Sequence, residues 1–265
     1  MYRLLAIDLD DTLLSEDLTI PQQTADKISA LRQKGIGVTI ATGRMFTSAR
    51  IYALQLGLRL PLVTYNGAVV RTAAADRPFF SHLIEPAQIR MVIDCCREHH
   101  WYMQLYNEDR IVVEKITEET RLDPDLKNAS ALEVGDFWGA DIKPSPKIMI
   151  VEKPQNIGRV YDILRDTIGE SLYMTGSKPY LLELMPQNVS KAKALAELCA
   201  KLGIDRSEVI TVGDSGNDLE MVKWAGLGVA VGNASASLKD AADYITTSNR
   251  SEAIDELIDK YFNHI

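Results

Sequence analysis

The 265-residue sequence has little of what disulfide-rich, nucleic-acid-binding or membrane proteins require. Its three cysteines form no C-x-x-C pair, so neither a disulfide framework nor a cysteine zinc site is predicted. Acidic residues outnumber basic ones by 37 to 29, which argues against a nucleic-acid partner. No apolar run reaches the roughly 18 residues of a membrane span. The N-terminal apolar run is broken by Asp8 and Asp10, so no signal peptide is predicted and we expect a cytoplasmic protein.

Several catalytic signatures are also missing. The sequence contains neither the G-x-x-x-x-G-K-[ST] phosphate loop nor the H-E-x-x-H zinc motif. Residues 213–216 do not match the G-x-S-x-G esterase motif, and the glycines near residue 228 do not match the G-x-G-x-x-G dinucleotide motif. The four histidines have no metal-ligand spacing. Whatever chemistry the chain performs must therefore come from other residues.

Short apolar runs alternate with helical patterns at both ends of the chain. The runs that predict buried strands are residues 4–9, 37–41, 62–65, 209–212, 227–231 and 244–246. Thr19 and Gln22 have the spacing of a capping box, which predicts the start of a first helix. A later helix is predicted from Lys191 to the C-cap Gly203. This alternation predicts an α/β fold with a parallel sheet.

The middle of the chain has a different pattern. Apolar stripes at helical spacing predict helices near residues 89–96 and 157–168. The strand-like runs that accompany them are residues 102–106, 111–115, 147–151, 172–175 and 180–184. A helix followed by two strands thus occurs twice. We expect an α+β domain at residues 83–185, inserted into a core domain made of residues 1–82 and 186–265.

Asp8 and Asp10 follow the first predicted strand. Because residues i and i+2 of a strand point the same way, both carboxylates are expected side by side at the carboxyl edge of the sheet, where open α/β sheets bind ligands. Two carboxylates there repel unless a cation joins them, and Mg²⁺ prefers such oxygen ligands. A solvated acidic turn is the alternative interpretation of this motif.

Three further motifs fall at the same predicted edge. Thr42-Gly43-Arg44 follows a strand and precedes a helix, where hydroxyl and backbone N–H groups suit phosphate, although Thr42 as a plain N-cap explains it too. Lys191 begins a helix, where a cation opposes the helix dipole unless an anion lies nearby; a surface lysine is the alternative. Residues 213–218 place Asp214 and Asp218 after another strand, or form an ordinary loop. Their joint occurrence makes separate coincidences a poor explanation.

Together these motifs resemble the haloacid dehalogenase superfamily, and in particular its Cof-type phosphatases with a large inserted cap. The matching segments are residues 7–14 (IDLDDTLL), 40–44 (IATGR), 189–191 (VSK) and 213–218 (GDSGND). The resemblance covers essentially the whole chain. It implies a Rossmann-like parallel-sheet core and an inserted α+β cap at residues 83–185. Asp11 stands where many members have glycine, but aspartate tolerates the left-handed conformation.

The resemblance also implies roles. Asp8 would be the nucleophile that forms an aspartyl-phosphate, and Asp10 the general acid and then the general base. Mg²⁺ would be held by the Asp8 carboxylate, the Asp10 backbone carbonyl and Asp214, with Asp218 in support. Phosphoryl oxygens would be held by the Leu9 and Gly43 backbone N–H groups and by Thr42, Lys191 and Asn217.

The expected function is Mg²⁺-dependent hydrolysis of phosphomonoesters of small metabolites, such as sugar phosphates, nucleotides or phosphorylated cofactors. A phosphomutase acting on hexose phosphates and a non-catalytic phospholigand-binding module are the alternatives. Neither a nucleic acid nor a membrane is an expected partner. The sequence does not indicate an oligomeric state.

Overall fold

The computed structural model describes residues 1–262, except for the side chain of Ser177. The strands are β1 (Leu4–Ile7), β2 (Gly37–Ile40), β3 (Leu62–Thr64), β4 (Val69–Arg71), β5 (Phe80–Ser81), β6 (Tyr102–Asn107), β7 (Arg110–Val113), β8 (Ala131–Glu133), β9 (Ile148–Val151), β10 (Leu172–Lys178), β11 (Leu181–Pro186), β12 (Val209–Gly213), β13 (Leu227–Ala230) and β14 (Tyr244–Ile245). The helices are α1 (Gln22–Gln33), α2 (Phe46–Gln55), α3 (Pro86–His99), α4 (Ile157–Ile168), α5 (Lys191–Leu202), α6 (Leu219–Trp224), α7 (Ala236–Lys239) and α8 (Arg250–Phe262).

Contacts within the chain divide it into two compact units. The first contains residues 1–80 and 190–265, and the second contains residues 81–189. The expected inserted domain began at residue 83 and ended at residue 185. Its action as a cap stays a prediction.

A parallel sheet with the strand order β14-β13-β12-β1-β2 forms the centre of the first unit. All residues of β1 and β12 are buried, because helices cover both faces of such a sheet. The predicted α/β fold with a parallel-sheet core is therefore confirmed.

The helix boundaries test two local predictions. Helix α5 ends as expected, since Gly203 takes the left-handed conformation with φ of 65° directly after it. The predicted capping box at Thr19 is wrong. Helix α1 follows Pro21, while the Thr19 hydroxyl donates to Asp17 Oδ1 at 2.9 Å within the preceding turn. Proline supplies a fixed φ at this helix start, and no side chain caps it.

The second unit contains a six-stranded sheet with the order β10-β11-β9-β6-β7-β8. Strand β6 shows its two faces clearly. Met103 and Leu105 belong to the apolar core that α3 and α4 cover, whereas Gln104 and Tyr106 point to the other face and enter a buried polar network. This sheet is therefore covered by apolar contacts on one face and by hydrogen-bonded polar groups on the other.

The three cysteines are free and buried, two on α3 and one on α5. Burial raises the pKa of the Cys95 and Cys96 thiols, and raises that of Cys199 to about 11. Within residues 1–262, none of the helices has the length and apolar character needed to cross a bilayer.

Candidate active site

The fold brings four chain segments to one edge of the parallel sheet. Strand β1 lies between β12 and β2, and the loops that follow these three strands leave from the same edge. Helix α5 precedes β12, and its last turn lies near the amino edge where β12 begins. Its first residue, Lys191, therefore lies at the carboxyl edge, beside those loops. The carboxyl edge next to a central strand is where ligands bind to open α/β sheets.

Asp8 is held rigidly at this edge. Its backbone N–H donates to the Val212 carbonyl at 3.0 Å, which extends the β1–β12 ladder by one residue. Its carboxylate is buried, and Oδ1 accepts a hydrogen bond from Lys191 Nζ at 2.6 Å. The aspartate is thus fixed by both its backbone and its side chain.

The strand geometry assumed for Asp8 and Asp10 is not what the structure shows. Strand β1 ends at Ile7, and an irregular helical turn over Leu9–Leu13 begins directly after Asp8. Alternation along a strand therefore does not apply to residues 8 and 10, and the Asp10 carboxylate pairs with Arg44 instead. Asp11 takes the expected left-handed conformation with φ of 55° within this turn.

Lys191 is enclosed between two carboxylates. Its Nζ lies 2.6 Å from Asp8 Oδ1 and 2.7 Å from Asp218 Oδ1, and its side chain has no exposed surface. Burial alone would lower the pKa of Lys191, but Asp218 and Asp8 outweigh it and raise the pKa above its ordinary value. The lysine is therefore charged, and the two carboxylates offset its unfavourable position at a helix N-terminus.

Asp218 also organises the loop after β12. Its Oδ2 accepts hydrogen bonds from the backbone N–H groups of Asp214 and Ser215, both at 3.1 Å. Because its other oxygen binds Lys191, both oxygens of this fully buried carboxylate have partners inside the protein. The supporting role of Asp218 at a metal stays a prediction.

Asp214 lies at the more open side of the cluster, and Thr12 Oγ1 donates to its Oδ1 at 3.3 Å. Burial, followed by the nearby Asp218 carboxylate, raises the pKa of Asp214 to about 7. Burial also raises the pKa of Asp8 well above its usual range, and the charge of Lys191 offsets only part of that effect. Both carboxylates would hold their charge more readily beside an additional cation.

Oxygen atoms of Asp8, Asp214 and Asp218 lie within 4.8 Å of one another. Three carboxylates and one lysine leave a formal charge of −3 + 1 = −2 in this cluster. A surplus of negative charge on converging hard oxygen atoms suits a divalent ion such as Mg²⁺. Asp8 and Asp214 therefore fit the predicted metal as carboxylate ligands, whereas the Asp218 oxygens are engaged by Lys191 and two backbone N–H groups.

The predicted phosphate-binding residues surround the same edge. Thr42 is buried, and its Oγ1 accepts the Arg44 backbone N–H at 3.1 Å. Gly43 approaches Asn66 so closely that a Cβ would lie 3.1 Å from Asn66 Oδ1. Asn217 Nδ2 donates to the same Asn66 oxygen at 3.0 Å. Leu9, the fifth predicted binder through its backbone N–H, begins the turn after Asp8.

Asn66 was missed by the sequence analysis. It follows β3 in an Asn-Gly pair, and Tyr65, Asn66 and Gly67 all have positive φ values. A Cβ at Gly67 would lie 2.4 Å from the Ser190 carbonyl oxygen, so glycine permits the close approach of this turn to α5. An Asn-Gly pair after a short strand is a turn signal that could have pointed to this residue.

Arg44 was included in a motif but received no role. Its guanidinium forms two hydrogen bonds with the Asp10 carboxylate, from Nε to Oδ2 at 2.8 Å and from Nη2 to Oδ1 at 2.5 Å. The site therefore contains two aspartates with different cationic partners, Lys191 for Asp8 and Arg44 for Asp10. The sequence spacing did not predict these separate partners.

Comparison with known proteins gives the class of protein in which this arrangement occurs. A model of the haloacid dehalogenase-like hydrolase family matches residues 5–258, and the chain belongs to this family. Predicted membership of the superfamily and of its phosphatase class of enzymes is thereby confirmed.

Individual relatives match over nearly their whole length. YitU of Bacillus subtilis (strain 168), a 5-amino-6-(5-phospho-D-ribitylamino)uracil phosphatase, is 29% identical over 266 residues, which covers 98% of this chain and 97% of that one. YcsE of the same organism, also named a 5-amino-6-(5-phospho-D-ribitylamino)uracil phosphatase, is 31% identical over 272 residues, which covers 97% of this chain and 94% of that one. The crystal structure of a haloacid dehalogenase-like hydrolase from Bacteroides thetaiotaomicron is 29% identical, with a TM-score of 0.91 and coverage of 99% and 100%.

Proposed function

We propose that this protein is a Mg²⁺-dependent phosphatase that hydrolyses phosphomonoesters of small metabolites through an aspartyl-phosphate on Asp8. Sugar phosphates, nucleotides and phosphorylated cofactors are the substrate classes. The observation that carries the proposal is the convergence of Asp8, Lys191 and Asp214 at the carboxyl edge of the sheet. The phosphatase names of YitU and YcsE also support it.

The reaction takes place in two steps. An Asp8 carboxylate oxygen attacks phosphorus, a P–O bond forms, and the bond to the leaving oxygen breaks while Asp10 supplies a proton to that oxygen. Water then attacks phosphorus, Asp10 accepts a proton from it, and the Asp8–phosphorus bond breaks. Covalent catalysis of this kind divides one difficult step into two.

Charge neutralisation supports both steps, because phosphoryl transfer depends mainly on positioning and electrostatics. Lys191, Thr42, Asn217 and the N–H groups of Leu9 and Gly43 would hold phosphoryl oxygens. Mg²⁺, held by Asp8, the Asp10 carbonyl and Asp214, would neutralise charge on the transferring group. In this proposal the inserted segment acts as a cap, and the cytoplasmic location stays a prediction of the sequence.

The first experiment is an assay of p-nitrophenyl phosphate hydrolysis with Mg²⁺, with EDTA, and with Asp8→Asn. We expect activity to require Mg²⁺ and to fall by at least about 10³-fold in Asp8→Asn, because an amide is a poor nucleophile. Asp11→Asn is the matched control. Its carboxylate pairs with Arg250 Nη2 at 2.9 Å, and the variant should keep most of the activity.

Trapping the intermediate tests the covalent step. Acid quenching during turnover should leave one phosphoryl group on the peptide that contains Asp8. Full activity of Asp8→Asn would contradict the nucleophile assignment. Activity that appears only with a sugar bisphosphate would favour the phosphomutase, and binding without turnover would favour the phospholigand-binding module.

A further inference from the structure

We propose that Arg44 is a positioning residue that orients the Asp10 carboxylate toward the leaving oxygen. The inference rests on the proposed function, because it gives Asp10 a proton to deliver. Both Asp10 oxygens accept hydrogen bonds from one guanidinium, at 2.8 and 2.5 Å. A two-point contact between planar groups fixes the plane of the carboxylate as well as its position.

The turn that carries Asp10 has an irregular backbone. Asp10 has φ and ψ of −70° and 134°, which are not helical, and Asp11 next to it has a positive φ. The Asp10 side chain is 47% exposed, whereas the Arg44 side chain is 13% exposed. The less exposed arginine is therefore the fixed partner, and the aspartate is the group that it holds.

Arg44 is itself held by its side chain. The guanidinium carbon lies 5.5 Å from the centre of the Tyr52 ring, a cation–π arrangement. The hydroxyl of this buried tyrosine donates to the Leu18 carbonyl at 3.0 Å. The ring is thus tied to the chain segment that follows the Asp10 turn, and the arginine packs against it.

The backbone of Arg44 provides a second attachment. Its N–H donates to Thr42 Oγ1 at 3.1 Å, and its carbonyl accepts the Tyr65 N–H at 3.0 Å. Thr42 is a proposed phosphate binder. The same short loop therefore places a phosphate ligand and the arginine that orients the proton donor, so phosphorus and the acid are positioned relative to each other.

A lysine would preserve the charge at position 44 but not the fork of two parallel N–H donors. Arg44→Lys should therefore leave Asp10 ionically paired and poorly oriented. Misplacement of a reacting group by about 1 Å costs about 10²-fold in rate. The loss should be largest where the leaving oxygen needs a proton most.

Phenyl phosphate and p-nitrophenyl phosphate test this dependence, because they share a ring and differ in leaving-group acidity. We measure kcat/KM, which includes only the steps up to departure of the alcohol. In Arg44→Lys we expect a loss of about 10–100-fold with phenyl phosphate and a much smaller loss with p-nitrophenyl phosphate. Arg44→Gln should show the same selective loss.

Arg71→Lys is the matched control, because Arg71 also lies over an aromatic ring, that of Phe46, at 4.1 Å. It should leave the ratio of the two kcat/KM values unchanged. In the Asp10→Asn background, Arg44→Lys should cause no further loss. Thermal unfolding of every variant separates a folding defect from a change in this ratio.

Equal losses with both substrates, or additive losses in the double variant, would overturn the role of Arg44. Those outcomes leave the phosphatase proposal intact as long as Asp8→Asn is inactive. An active Asp8→Asn enzyme would instead contradict the proposed function itself. The two failures are therefore distinguishable in one set of assays.

Discussion

Each of the two compact units buries a lysine among carboxylates, and the surroundings of the two lysines differ. In the second unit, Lys147 Nζ lies 3.2 Å from Glu183 Oε1 and 4.6 Å from the centre of the Tyr106 ring. Burial would lower the pKa of Lys147, but Glu183, Asp125 and Asp123 raise it. In the first unit, Asp218 and Asp8 raise the pKa of Lys191 in the same way.

Near Lys147, the Asp123 carboxylate is satisfied by neutral donors of strand β6 and of its own turn. Asp123 Oδ2 accepts hydrogen bonds from the Tyr106 hydroxyl at 2.6 Å and from Gln104 Nε2 at 2.5 Å, and its Oδ1 accepts the Asp125 N–H at 2.9 Å. Neutral donors thus spread the charge through a closed network. These contacts fix the polar face of the sheet.

At Lys191 the carboxylate oxygens converge instead. Among the residues that the structure describes, the Asp8, Asp214 and Asp218 group is the one whose oxygens lie within 4.8 Å of one another. Both clusters contain a buried lysine and three carboxylates, so neither burial nor charge count distinguishes them. Convergence at the carboxyl edge of a parallel sheet does, and the predictions below test that distinction.

Of the variants that compare the two lysines, Lys191→Met is expected to have the largest effect on activity. The variant removes the cation that holds Asp8 and a proposed phosphate ligand, so kcat/KM for p-nitrophenyl phosphate should fall by about 10²–10³-fold or more. Steady-state kinetics on the folded variant measure this loss. Lys147→Met is the matched control, and an equal loss in that variant would remove the distinction between the two lysines.

A large effect on stability without loss of activity is expected for Lys147→Met. Removing one partner of a buried ion pair lowers the free energy of unfolding by about 3–5 kcal/mol, because it leaves an unpaired charge in the protein interior. Urea unfolding measures the change, and the activity of the folded variant should be retained. Adding Glu183→Leu should recover part of the loss; no recovery would contradict a pairwise origin.

Mg²⁺ affinity should depend on pH between 6 and 8. Asp214, with a pKa of about 7, must lose its proton to bind the ion, so affinity should fall about tenfold from pH 8 to pH 6. Titration calorimetry at both pH values measures this, and an unchanged affinity would contradict the role of Asp214. Lys147 offers no such site, so Lys147→Met should keep the same dependence.

Without Mg²⁺, the free energy of unfolding should decrease as pH rises, whereas Mg²⁺ affinity should increase. The folded protein keeps the Asp214 proton up to about pH 7, whereas an unfolded aspartate loses it near the ordinary value of 3.8. Unfolding therefore releases a proton in this interval, and the contribution of Asp214 to the free energy of unfolding decreases as pH rises. Saturating Mg²⁺ should reduce this decrease, which unfolding curves with and without the ion will measure.

The smallest effects compare the ends of two helices. Gly203 after α5 and His100 after α3 both take the left-handed conformation, with φ of 65° and 57°. Gly203→Ala should cost about 1 kcal/mol, and His100→Gly should gain about 0.5 kcal/mol, because glycine adopts this conformation without a steric penalty. Urea unfolding measures both, with kcat unchanged. Equal signs in the two variants would contradict this explanation.

Periodicity predicted the parallel-sheet core, because buried parallel strands consist of continuous apolar runs. Because parallel strands end at the same edge, the motifs that follow them were expected to share it. The structure brings Asp8, Lys191, Asp214 and Asp218 together there. The direction of Asp10 could not be predicted, since it depends on where β1 stops. That point is set by an irregular turn whose conformation the sequence spacing does not encode.

The partners of the site residues were equally hidden. Arg44 and Asp10 are 34 residues apart, and Asn66 meets Asn217 across 151 residues. Such pairs depend on how strands are ordered in the sheet rather than on any local pattern. The buried network around Asp123 was missed for the same reason, because its partners Gln104 and Tyr106 are 19 and 17 residues away.

The positions of the three cysteines make each unit separately observable. Cys199 lies in the core of the first unit, and Cys95 and Cys96 lie in that of the second, with at most 5% of each residue exposed. A thiol reagent reaches them only when the surrounding structure opens. Labelling rates followed by peptide mass analysis therefore give the opening free energy of each unit in the intact chain. Each unit thus contains a native cysteine that reports on its opening without any engineered substitution.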